Sequence, residues 1–166
     1  YPAGVSGISI ESCDGAKINN INISNIVISG MSCPLFIRLC NRNGDNKAEL
    51  DGKGEINNIS VKNVKAEGVE IPVMIMGIPE QTIKDITLEN FAIRYLEGKD
   101  YIDLRWKIPE QEKEYPECNR FRNINSYGIF IRHAKNIKLN NFKVKPRNNT
   151  LRKFKKVIDC DGFLIK

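Results

Sequence analysis

One eight-residue template recurs four times along this chain: apolar, any, apolar, any, Asn, apolar, any, apolar. It is filled by Ile21 to Ile28 around Asn25, Ile59 to Ala66 around Asn63, Ile86 to Ile93 around Asn90, and Ile137 to Val144 around Asn141. Each copy begins with period-two alternation, the pattern of a strand with one covered face. The Asn then brings the next apolar residue one position early, so the chain turns a corner there. Asn suits a corner because it tolerates left-handed backbone angles and its amide can bond neighbouring groups. If the copies stack about 4.8 Å apart, as paired strands do, Asn25, Asn63, Asn90 and Asn141 form a ladder of amides.

A second strand precedes each copy: Gly7 to Glu11, Leu35 to Leu39, Val73 to Met76 and Ile129 to His133. Aligning Ile10, Ile37, Ile75 and Ile131 as inward residues gives four rungs at intervals of 27, 38 and 56 residues. A rung needs about 20 to 27 residues. The surplus falls in two insertions, 40–54 and 96–126, which map to surface loops and to a binding face. Short strands with corners instead of hairpins, repeated in one direction, predict an all-β chain. The expected fold is a right-handed parallel β-helix of four to five coils, the C-terminal part of a longer β-helix. Its units lie near 7–30, 34–68, 71–96 and 127–145 of a single domain, 1–166, with a basic segment, 143–166, at the end. An antiparallel sandwich shares the short strands but not the constant direction of the template. A partial fifth rung, Val157 to Ile165, is placed to finish the stack. A coil that starts on a full rung also leaves an apolar end open to self-association.

Charge is distributed unevenly. Residues 132–166 hold eleven basic and two acidic side chains, so this stretch carries +9 of a total of +6 and the rest carries −3. That charge suits a polyanion or a solvated terminal extension. Only Phe142 and Phe154 interrupt the basic run, so a stacking pattern for nucleic acid is not present and nucleic acid is not an expected partner. No run of 18 apolar residues exists, and no membrane association or signal peptide is read. The opening on Tyr1 without Met suggests a processed, engineered or partial chain. Cys13, Cys33, Cys40, Cys118 and Cys160 make no CxxC pair, and His133 is the only histidine, so neither a metal nor a cofactor is expected. Register sets Cys13 over Cys40, which reads as a stacked apolar pair in preference to a disulfide.

With the isoleucines inward, Glu11, Arg38, Met76 and Arg132 form one outward column, and Ser9, Phe36, Met74 and Phe130 the next. Glu11 and Arg38 would be near enough to pair, in a polar groove flanked by Asn41, Arg42 and His133. His133 has no adjacent Ser or Cys nucleophile, so no catalytic residue is assigned. The insertion carries Glu110, Glu112, Glu114 and Glu117 beside Tyr115 and Trp106, a combination of carboxylates and aromatic rings that suits sugars.

Five motifs in order, Gly7 to Gly15, Pro34 to Arg42, Gly77 to Glu80, Ile108 to Glu112 with Tyr115 to Glu117, and Tyr127 to His133, resemble the C-terminal part of bacterial glycoside hydrolases of the polygalacturonase type. The resemblance implies a right-handed parallel β-helix, inverting hydrolysis of pectic polysaccharide by clustered aspartates, and secretion or a periplasmic location. That family's signatures Asn-Thr-Asp, Asp-Asp and Gly-His-Gly have no counterpart here, and its Arg-Ile-Lys falls on Ser9-Ile10-Glu11. The catalytic aspartates are therefore expected on coils before Tyr1. This chain is expected to supply substrate contacts: Arg38, Asn41, Arg42, Arg132, His133, Glu11, Tyr115 and Glu117. The alternative is a non-catalytic β-helix module for carbohydrate binding or assembly.

Overall fold

The computed structural model describes residues 4–42, 54–96, 103–121 and 123–166. Among these residues eight strands follow in chain order: β1 (Gly4–Ser12), β2 (Lys17–Ser29), β3 (Met31–Leu39), β4 (Glu55–Val69), β5 (Val73–Met76), β6 (Ile83–Tyr95), β7 (Ser126–Pro146) and β8 (Lys153–Ile165). Among the described residues the one helical element is a 3-10 turn, Cys118–Arg120, so no helix is long and apolar enough to cross a membrane. The protein is all-β, and every strand pairing is parallel.

Strand order is β1-β3-β5-β7-β6-β4-β2, with β8 alongside β7. The 21-residue β7 pairs with β5 through its first part and β6 through its later part. It thereby joins the two runs of strands into a sheet that is nearly closed, an arrangement compatible with the solenoid expected from the repeat. Register puts Ile10, Ile37, Ile75, Ile131 and Val157 in one file, as the alignment of rungs requires. Ile21, Ile59, Ile86, Ile137 and Phe163 make a second file. Like side chains stack on like, and a third file, Ile26, Val64, Phe91 and Phe142, ends with the two rings at 5.2 Å between centroids.

The corners are built as the template predicts. Asn63 donates its amide to Asn25 Oδ1 at 3.0 Å, Asn90 to Asn63 at 3.0 Å, and Asn141 to Asn90 at 2.9 Å. All four have left-handed backbones, with φ between 49 and 62°. A second ladder, absent from the template, stands five residues earlier at Asn20, Asn58, Asp85 and Asn136, also at positive φ. Asn58 donates to Asn20 at 2.7 Å and Asn136 to Asp85 at 2.9 Å. Gly162 ends that ladder at φ +70°, where a Cβ would come within 2.8 Å of Asn136 Oδ1.

The expected open face is corrected. The two columns have the predicted register, but Phe36, Met74, Met76 and Phe130 are wholly buried. The described part of the 96–126 insertion packs onto them and adds Ile108, Cys118, Phe121 and Ile124 to a second core that also holds Cys33. Two phenylalanines and two methionines make too much apolar surface to leave in water. Burial pushes the Cys33 thiol far up, while Cys118 accepts a hydrogen bond from the Ser6 hydroxyl at 3.4 Å. The other insertion, 40–54, lies mostly outside the described residues.

The expectation for Cys13 and Cys40 is corrected as well. They form a disulfide between neighbouring rungs, with Cα atoms 4.2 Å apart. Closing a 27-residue interval this way stabilises by about 3.5 kcal/mol in the chain-entropy view. The basic terminal segment is not a loose extension, since β8 supplies the fifth rung. At the opposite end β1 and β2 each pair along one edge only, and Ile8, Ile18, Ile21, Ile23 and Ile26 are half-buried.

Asn63 is the test of the corner. Replacing it with Ala removes two rungs' hydrogen bonds, each worth about 1 kcal/mol net. It also removes the short polar side chain that lets Asn tolerate a left-handed backbone, leaving Ala at positive φ at a cost of about 1 kcal/mol. Urea unfolding should show Asn63→Ala losing roughly 3 kcal/mol and Asn63→Gly losing less. An Ala variant as stable as the parent would refute the ladder.

Candidate functional site

The ends of β1, β3 and β5 and the Arg132–His133 stretch of β7 form a rim, and the described part of the insertion runs across it. Arg132, only 2% exposed, donates to the carbonyls of Ile108 at 2.7 Å and Pro109 at 3.0 Å, and pairs with Glu110 Oε1 at 3.1 Å. Arg38, 1% exposed, donates to the carbonyls of Glu110 at 2.7 Å, Gln111 at 3.0 Å and Gly77 at 3.3 Å, with Phe121 beneath its guanidinium at 5.2 Å. Farther along, Asn41 N–H donates to Glu112 O at 2.7 Å. Residues 108–112 therefore cross from the fourth rung to the second. Arg152 donates to Ile124 O near the end of the insertion.

These contacts change the part assigned to the two arginines. Placed in an open groove by the sequence, Arg38 and Arg132 are instead consumed by insertion carbonyls. A planar fork of donors is suited to gathering several carbonyls at once, which Lys cannot do. Burial, and then the nearby charge of Arg132, lowers Arg38 to about 10, with Glu110 and Glu112 acting in the opposite sense. Burial also lowers Arg132.

Two clusters remain at the surface. In the first, Arg42 pairs with Asp14, donating through Nε at 3.0 Å and again through Nη2, and lies 5.7 Å from the ring of Tyr115. Tyr115 is 55% exposed, so a cation, a carboxylate and an accessible ring stand together. Hydrogen bonding from Arg42 holds Asp14 below the usual carboxylate range, partly opposed by burial and reinforced by the Arg42 charge. In the second cluster His133 faces Asp159 through Nδ1 at 2.5 Å and Glu110 through Nε2 at 3.2 Å. A neutral imidazole has one N–H and satisfies one of these carboxylates, whereas the doubly protonated ring satisfies both. His133 and Asp159 both have positive φ, 47° and 45°, on neighbouring rungs. The second oxygen of Glu110, Oε2, is buried without a hydrogen-bond partner.

Of the predicted residues, the structure brings Arg42 to Tyr115 and Arg132 to His133. It does not join Glu11 to Arg38: the Glu11 carboxylate accepts from the Ser9 hydroxyl instead. Glu117 pairs with Arg120 at 3.9 Å beside the 3-10 turn. Asn41 serves through its main chain. Sequence reading missed Asp14 and Asp159. Asp159 had a usable signal, because extending the Ile10 to Val157 file by two residues sets it beside His133. Among the described residues no group of three or more His, Cys, Asp or Glu could hold a metal ion. No protein-family model, curated protein or solved structure matches the chain.

Two outcomes follow for the rim. Arg38→Ala orphans three carbonyls and should cost about 3 kcal/mol, with faster protease cleavage within 103–121. Arg42→Ala, which breaks an exposed pair, should leave stability almost unchanged; equal losses for the two would contradict the division of labour. Asp14, titrated by NMR, should show a midpoint below that of an ordinary Asp, and Arg42→Ala should raise it. Because the folded value is the lower one, the small stabilisation from Asp14 is present above the unfolded value and disappears as pH falls through the folded one.

Proposed function

We propose that this chain is the polysaccharide-binding portion of a polygalacturonase-type glycoside hydrolase, its parallel sheet wound as a right-handed β-helix, with the catalytic aspartates on coils N-terminal to β1. The observation that carries the reading is the Arg42, Asp14 and Tyr115 cluster on the rim. Arginine forks bind carboxylates and hydroxyls, and an exposed ring stacks on a sugar face. The ordered motifs from Gly7 to His133 and the in-register parallel rungs support the same family. The Cys13–Cys40 disulfide supports an extracellular or periplasmic setting. The half-covered isoleucines of β1 and β2 would receive preceding coils or a second copy.

A non-catalytic carbohydrate-binding or assembly module is the second reading. It is favoured by the ion pairing of Asp14 to Arg42 and of Glu110 to Arg132. Carboxylates so held are poorly placed for an acid and a water-activating base.

Calorimetry with oligogalacturonates, beside a reducing-end assay on polygalacturonate and rhamnogalacturonan, tests the assignment. The chain should bind without cutting, and Tyr115→Ala and Arg42→Ala should each weaken binding about tenfold, or 1.4 kcal/mol. Hydrolysis by the chain itself would move the catalytic carboxylates into it. Failure to bind any pectic oligomer would remove the reading.

A further inference from the structure

The face beyond the Asn25 to Asn141 ladder has its own chemistry. Register lines up Val27, Lys65, Ala92 and Lys143 as one outward column, and Ser29, Glu67, Arg94 and Lys145 as the next. Lys65 is paired with Glu67 at 3.4 Å. Arg94, Lys143 and Lys145 are exposed and make no ion pair among the described residues. Arg94 and Lys145 occupy neighbouring rungs, about 4.8 Å apart along the stack, an arrangement of like charges that destabilises a sheet. Between Lys65 and Lys143 the short side chain of Ala92 leaves a shallow groove of about 340 Å³, lined also by Arg94 and Lys145 and, at its β4 side, by Glu67, which Lys65 pairs.

We infer that this groove is a second polyanion-binding site, separate from the rim, and that it takes a carboxylate-bearing polysaccharide. The inference rests on the pectic reading for the identity of the anion but on different residues. Successive rungs present cations at a spacing comparable with the length of one pyranose residue, so consecutive uronates can each meet a cation. The slot at Ala92 lets the sugar backbone approach the sheet. Nucleic acid fits less well: no aromatic ring lines the groove to stack a base, and a flat strand face offers nothing to enter a duplex groove. Along β7 the left-handed corners at Asn136 and Asn141 separate His133 from Lys143 and Lys145, and Arg42 lies beyond the end of β3, so a chain bound there leaves the rim free.

The test uses the full chain and polygalacturonate, with the rim disabled by Arg42→Ala and Tyr115→Ala. Residual, salt-sensitive binding should persist in that background. Adding Arg94→Ser, Lys143→Ser and Lys145→Ser should weaken it at least tenfold, as should Ala92→Glu alone, with unchanged circular dichroism in each case. No residual binding in the rim variant would overturn the groove while leaving the rim reading intact. Binding unaffected by the serine variant would overturn it too, and if that variant also self-associates, the cations guard a strand edge instead. Tighter capture of a 20-nucleotide oligothymidylate than of polygalacturonate, lost in the same variants, would overturn the assignment to polysaccharide.

Discussion

In-register parallel stacking is the constraint from which the rest of this structure follows. Each strand lies directly over its counterpart in the next rung, so one residue's position fixes those of its whole file. Buried isoleucines alone would allow a slip of two residues, because period-two alternation is preserved by it. The corner amides do not. Each Asn of the first ladder meets the Asn of the next rung at hydrogen-bond distance with a left-handed backbone, and a slip breaks those bonds together with the Asn20–Asn58 and Asp85–Asn136 pairs of the second. The cost of holding non-glycine residues at positive φ is offset by bonds that only the correct register makes.

The nearly closed sheet presents different surfaces, and the chain uses them differently. The face carrying Phe36, Met74 and Phe130 is too apolar for water, and the insertion covers it. Arg38 and Arg132, rising from the same strands, bind the insertion's main-chain carbonyls and so fix residues 108–111 across the strand ends. The consequence is that what would have been a groove floor is core, and at the rim Arg42, Tyr115 and the carboxylate of Glu110 stay at the surface beside the buried ring of His133. The disulfide secures the same edge, joining the rungs from which Asp14 and Arg42 project.

The repeated core was legible because its signal is one-dimensional. Asn25, Asn63, Asn90 and Asn141 betray themselves by bringing an apolar residue one position early, and the Ile10 to Ile131 file follows from spacing alone. The second ladder was hidden by its spelling, since Asp85 replaces Asn in one rung and Gly162 ends it. The docking of the insertion was not legible, because its determinants are far apart: Arg38 meets Glu110 O across 72 residues. A clue did exist, as a column of Phe36, Met74 and Phe130 cannot remain exposed. An outward arginine reads equally as a ligand contact or as a staple until its acceptors are known. The sulfurs of Cys13 and Cys40 were rightly placed together, but register says nothing of their oxidation.

The central claim is that the insertion belongs to the folded core and is no mobile cover over an open face. Amide hydrogen exchange tests it most directly. The hydrogen-bonded amides of Asn41, Glu114, Arg120 and Phe121 are predicted to exchange together with those of β3 and β7, through the same cooperative opening. Free exchange at those four positions while β3 and β7 stay protected would contradict it, and would return Arg38 and Arg132 to the surface as candidate ligand contacts.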